Sequence, residues 1–217
     1  MSAGTDPVTG STGTGTVTTD QVTSPTDPVA LTSHPVIVIV PGLREHLADH
    51  WQTLLADRLT EAVRTVPPLT EDGLSREARV AALDKVISET EGPVVLVAHS
   101  AGVITTVHWA QGDTTRVRGA LLATPPDFGT PLPAGYPTPD VLQENGWTPV
   151  PRTPLPFPSI VAASANDPLG TAERVAELAR EWGGTLVELG EVGHLNPASG
   201  HGPWPRAEEL LRDVETG

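Results

Sequence analysis

The stretch with the clearest chemical potential is Val94-Val95-Leu96-Val97-Ala98-His99-Ser100-Ala101-Gly102. An apolar run leads into a serine flanked, two positions either side, by the small residues Ala98 and Gly102. A helical pattern follows. This is the layout of a nucleophile elbow, G-x-S-x-G, with alanine in place of the first glycine. Its demand is steric: strand and helix must come close around a serine held in a tight turn. The helix start beyond the serine also turns N–H groups and a positive dipole end toward developing negative charge. The motif alone is unspecific, and its weight comes from the strand before it and the helix after it.

A serine nucleophile needs a base, and the base needs an orienting acid, in chain order Ser…Asp/Glu…His for a strand-turn-helix elbow. Three histidines lie downstream: His108, His194 and His201. His108 falls inside a helical pattern, whereas His194 follows the last apolar run after Gly190 and Gly193, where a base must hang. His201, between two glycines, is its rival. For the acid, Asp167 in Ser164-Ala165-Asn166-Asp167-Pro168 directly follows another apolar run; Asp113 and Asp127 are the substitutes. An Asp before proline also reads as an Asx turn or helix cap. One oxyanion donor is expected from the N–H of Ala101 and a second from that of Leu43, just after the turn Pro41-Gly42. His46 and His50 have the i, i+4 spacing of zinc ligands on a helix, yet Leu47 stands where H-E-x-x-H carries Glu, and no third ligand is evident.

The elements that must position these groups alternate. Strands are expected at 36–40, 64–66, 94–98, 117–123, 160–163 and 185–189, and helices at 46–62, 75–90, 101–111, 171–182 and 205–214. Gly183-Gly184 supplies the stop of the fourth helix. VIVIV and VVLVA show no polar alternation, so both faces should be covered, which points to βα units and a mostly parallel sheet of about six strands with helices on both faces. Residues 124–158 break the rhythm with 11 prolines in 35 residues, which excludes a long helix or a central strand. Residues 140–144 could make a helical turn. Such a segment forms either one wall of a pocket or a surface excursion. Trp51, Trp109 and Trp182 fall on helices as core candidates, and Trp204, near His201, is a candidate to line the site.

The chain has 217 residues, and its first 33 include ten Thr, four Gly, four Ser and three Pro, with no aromatic residue, Lys or Arg. Residues 1–33 are therefore expected to be a disordered tail, and 34–217 one domain. Thirteen basic against 27 acidic residues leave a net charge of −14, which argues against nucleic-acid or anionic-membrane partners. No apolar run nears the ~20 residues of a membrane span. No positive region opens the chain, as a secretory signal requires, and a cytoplasmic location is expected. Zero Cys excludes disulfides and thiolate chemistry. Twelve Arg against one Lys fits a GC-rich bacterial genome.

Further stretches carry a family likeness: Pro41-Gly42 with His50-Trp51-Gln52, Val107-His108-Trp109-Ala110, Leu155-Pro156-Phe157-Pro158-Ser159, and Gly193-His194-Leu195-Asn196 followed by Ser199-Gly200-His201-Gly202-x-Trp204-Pro205. With the serine and Asp-Pro motifs, the chain resembles the small serine hydrolases related to retinoblastoma-binding protein 9 and the bacterial YdeN proteins, within the α/β-hydrolase superfamily. The resemblance covers residues 36–217. It implies Ser100 as nucleophile, Asp167 as acid, His194 as base, and a minimal sheet without a large helical cap. Retinoblastoma-protein binding needs an L-x-C-x-E motif, which a chain without Cys cannot carry. The expected activity is cofactor-free hydrolysis of a small acyl substrate. A thioesterase or acyltransferase, and a non-catalytic binding module with the three side chains apart, are the alternatives; competing alcohols would separate transfer from hydrolysis.

Overall fold

Six short runs rich in Val, Ile, Leu and Ala become strands: β1 (Val36–Val40), β2 (Val63–Thr65), β3 (Val94–His99), β4 (Val117–Ala123), β5 (Ser159–Ala163) and β6 (Thr185–Glu188). Between and after them lie α1 (Trp51–Arg58), α2 (Arg76–Ser88), α3 (Ala101–Trp109), α4 (Pro139–Glu144), α5 (Ala172–Glu181) and α6 (Arg206–Thr216). This computed structural model describes residues 34–44 and 46–216. The tail expected over residues 1–33 lies outside them.

The sheet has the order β2-β1-β3-β4-β5-β6, and every neighbouring pair is parallel. From β1 the chain winds outward to β2, then returns past β1 to build β3 to β6 on the other side. The reversal lies between β1 and β3. In open α/β sheets the crevice beyond the strands' C-terminal ends at such a switch is where ligands bind. Pro41 and Gly42 leave β1 there, and Ser100 leaves β3.

The period of two in each strand divides the core. Val38, Val40, Leu96, Ala98, Leu122 and Val161 face one side, packed with Leu83 of α2, Ile104 of α3 and Leu178 of α5. Ile37, Ile39, Val95, Val97, Leu121 and Ile160 face the other, against Trp51 of α1 and Leu211 of α6. Central β3 is buried at all six positions, whereas edge strand β6 has only Val187 half-buried. Two-sided cover and parallel pairing thus follow from the unalternating apolar runs.

Three expectations need correction. The first helix starts at Trp51, not 46, because His50 is its N-cap and its Nδ1 accepts the Gln52 N–H at 3.2 Å. His46 and His50 therefore do not share a helix face, and among the described residues no group of three or more His, Asp or Glu could hold a metal ion. The helix expected to reach residue 111 ends at Trp109. Trp204 lies edge-on to Trp51, 4.8 Å between ring centroids, and not on the cleft described below. The proline-rich segment has only α4 as regular structure.

Candidate active site

Ser100 joins β3 to α3 at φ 57°, ψ −129°. A non-glycine residue there is strained by roughly 1–3 kcal/mol and persists only where its surroundings fix it. They do so by contact. A Cβ on Gly102 would stand 2.2 Å from the Val40 carbonyl oxygen and 2.8 Å from that of Pro41, so only glycine lets α3 lie against the end of β1. A Cβ on Gly42 would meet that of Ser100 at 3.1 Å. The Ser100 N–H is bonded to the Ala123 carbonyl at 3.0 Å, tying the turn to β4.

The structure brings Ser100, His194 and Asp167 together from the ends of β3, β6 and β5. The Ser100 hydroxyl lies 2.8 Å from His194 Nε2, and His194 Nδ1 lies 2.8 Å from Asp167 Oδ2. The other carboxylate oxygen of Asp167, Oδ1, accepts the Leu169 N–H at 2.9 Å. The Asx turn expected before Pro168 therefore exists beside the contact to histidine, one oxygen serving each. With Nδ1–H donated to the carboxylate, Nε2 is left to accept from the serine hydroxyl.

Side-chain hydrogen bonds hold the two loops that carry acid and base. Asn166 Oδ1 accepts the Gly193 N–H at 2.6 Å, and Ser164 Oγ accepts that of Val192 at 3.3 Å. Ser199 Oγ accepts the His194 N–H at 2.9 Å and donates to Asn196 Oδ1 at 2.9 Å. Buried His99 donates from Nε2 to the His194 carbonyl at 2.9 Å. Burial first, then the neighbouring His194, pushes the His99 pKa well below its ordinary value. The same two causes bring His50 down to about 4. Both rings are thus neutral near pH 7 and add no positive charge against protonation of His194.

Leu43 and Ala101 border the cleft beside Ser100, and among the described residues neither backbone N–H has a hydrogen-bond partner. The loop that carries Leu43 is held from behind. Buried Arg79 donates to the Gly42 carbonyl at 3.3 Å and to that of Gly73 at 2.7 Å. Gln52 Nε2 donates to the Val40 and Val97 carbonyls at 3.2 and 2.9 Å, joining β1 to β3 just below the site. The bracing roles of Gln52 and Arg79 are not legible in the sequence, since a polar residue on a helix gives no sign of which distant carbonyl it meets.

The rival residues are engaged elsewhere. His108 Nε2 meets the Trp147 carbonyl at 3.1 Å, Asp113 accepts the Thr115 N–H at 3.0 Å, and Asp127 pairs with Arg174 at 3.0 Å. His201 does not border the cleft. The cleft has about 670 Å³ of empty space, partly open to solvent, with Leu43, Leu47 and Leu169 among its apolar walls. Pro126, Phe128, Leu132 and Tyr136 of the proline-rich segment complete it, so that segment is a pocket wall.

A six-stranded parallel sheet with helices on both faces, and a serine at the strand-to-helix turn beside its switch point, define an α/β-hydrolase. The sequence pattern of the serine hydrolase family matches residues 37–213, and the chain belongs to that family. A YdeN-like hydrolase from Pectobacterium atrosepticum is similar with a TM-score of 0.70 at 26% identity, over 84% of this chain and 91% of that one. The ydeN gene product of B. subtilis is similar at 0.61 and 19%, covering 85% and 100%. Est1E from Butyrivibrio proteoclasticus, solved with ferulic acid, reaches 0.63 at 12% identity, covering 85% and 88%, a likeness of fold alone. No curated protein matches the chain by sequence. The chain is a serine hydrolase, and the alternative of a binding module with separated side chains does not fit contacts of 2.8 Å.

Proposed function

We propose that this hydrolase cleaves an ester or similarly activated acyl bond through a Ser100–His194–Asp167 triad and an acyl-enzyme. His194 Nε2 takes the hydroxyl proton as Ser100 Oγ attacks the acyl carbon. The tetrahedral oxyanion accepts from the N–H groups of Ala101 and Leu43, each worth ~2.7–4 kcal/mol of transition-state stabilisation. Asp167 keeps the Nδ1–H tautomer and stabilises the imidazolium, which returns its proton to the leaving alkoxide. Water, activated by the same imidazole, then attacks the acyl-enzyme and releases the carboxylic acid.

The observation that carries this reading is the unbroken relay from hydroxyl to imidazole to carboxylate, 2.8 Å at each step, at the mouth of an apolar cleft. The N–H groups of Leu43 and Ala101, without a hydrogen-bond partner among the described residues, support the oxyanion assignment. A fluorophosphonate probe should label the wild type on Ser100, and Ser100→Ala should lower kcat on short p-nitrophenyl esters by about 10⁶-fold. Labelling or turnover that survives the substitution overturns the triad.

A further inference from the structure

We infer that the cleft selects substrates bearing an anionic group, a carboxylate on a short apolar chain, and that Arg44 receives it. The inference rests on the esterase reading above and adds to it a substrate class.

Among the described residues seventeen border the cleft, none of them Asp or Glu, in a chain with 27 acidic residues against 13 basic. Among the described residues of that lining, Arg44 is the one carrying a full charge at neutral pH outside the proposed triad, because His50 and His99 are held neutral. Several arginines are held in ion pairs. Arg58 is paired with Glu208, Arg152 with Glu181, and Arg174 with Asp127 and Glu177. Arg44 has no ion pair among the described residues. Its guanidinium instead lies over the ring of Tyr136, 5.1 Å from the centroid. An aromatic face orients a guanidinium without neutralising it, and leaves its forked N–H groups free for a carboxylate.

Position strengthens the case. Arg44 follows Leu43, whose N–H is proposed to hold the oxyanion, and Arg79 anchors the preceding Gly42 carbonyl. Arg44 thus stands one residue beyond the proposed oxyanion donor. The side chains of Leu43, Leu47, Leu132 and Leu169 give the same cleft apolar walls, which suits a short hydrocarbon spacer. A net charge of −14 would otherwise repel an anionic substrate, so a cation in a cleft whose described lining holds no carboxylate is a local counterweight to the molecule's field.

The test compares matched esters. One pair is the mono-p-nitrophenyl ester of glutarate and its analogue with isopropyl in place of the free carboxylate. The other pair places carboxylate or isopropyl on the leaving phenol of a butyrate ester. In at least one pair the wild type should favour the anion. Arg44→Gln should lower the anionic-to-neutral ratio of kcat/KM about tenfold or more, through KM, since the contact is alike in ground and transition states. Arg44→Lys should retain part of the preference, and Arg44→Glu should reverse it. Ratios equal in wild type and Arg44→Gln for both pairs overturn the inference while leaving the esterase reading intact. Absence of Ser100-dependent turnover on every ester instead defeats the esterase reading. Calorimetry of glutarate with Ser100→Ala protein then decides the anion site alone: binding weakened by Arg44→Gln supports it, and binding unchanged or absent overturns it.

Discussion

The serine turn and the acid–base loops reach the same rim of the sheet by different physics. Around Ser100 the constraint is repulsive: backbone oxygens at 2.2 and 2.8 Å from a hypothetical Gly102 Cβ admit only glycine there, beside a serine held at φ 57°. Around Asp167 and His194 it is attractive. Asn166, Ser164, Ser199 and His99 hold those loops through hydrogen bonds of 2.6–3.3 Å. A nucleophile must be fixed in its backbone, and packing does that cheaply with small residues. An imidazole must be fixed in orientation and tautomer, which needs directional donors and acceptors.

Substitutions can break that contrast from either side. The largest effect is expected from Asp167→Asn, which keeps shape but removes the carboxylate that selects the Nδ1–H tautomer. On the triad reading kcat should fall about 10⁴-fold with little change in unfolding free energy. Loss of stability in proportion to activity would instead make Asp167 a structural turn residue.

Gly102→Ala acts on the repulsive side. Its Cβ meets backbone, which cannot swing away, so stability should drop by about 3 kcal/mol in denaturant unfolding, with activity lost as α3 shifts from β1. Full stability would show that the turn is looser than its contacts imply.

The smallest effect sharpens the attractive side through pH. Burial holds the His50 pKa at about 4 and that of His99 well below its ordinary 6.5. Unfolded, both bind protons near pH 6.5, so between 6.5 and 4 the unfolded state holds more protons. This stability is full above pH 6.5 and is lost as pH falls toward 4. A loss of about 1 kcal/mol or more should appear as a Tm lower by roughly 2–4 °C per kcal/mol. His50→Asn, which keeps a capping side chain without the titration, should flatten part of that slope. An unchanged slope would remove His50 as its source.

How much of this was legible in advance differed by region. Val36–Val40 and Val94–His99 announced a sheet covered on both faces, because a strand with no polar alternation has nowhere else to go. Ser100, Asp167 and His194 could each be picked out by following an apolar run into a turn. The start of α1 was misplaced, since Leu47 continues a helical stripe that the His50 cap interrupts. Trp204 packs on Trp51 instead of lining the cleft, because nearness to His201 in sequence says nothing of which ring it meets.

Sequence alone thus determined the alternation of elements, the parallel sheet and three chemically apt residues at strand ends. These follow from local rules: periodicity, small residues at a tight turn, and the absence of alternation. Only the tertiary structure decided that the three side chains meet at 2.8 Å and that Gln52 and Arg79 brace the site. It alone made the proline-rich segment a wall and set the Arg44 guanidinium over the Tyr136 ring. Those facts depend on contacts between residues tens of positions apart, and such contacts are fixed by how whole layers pack.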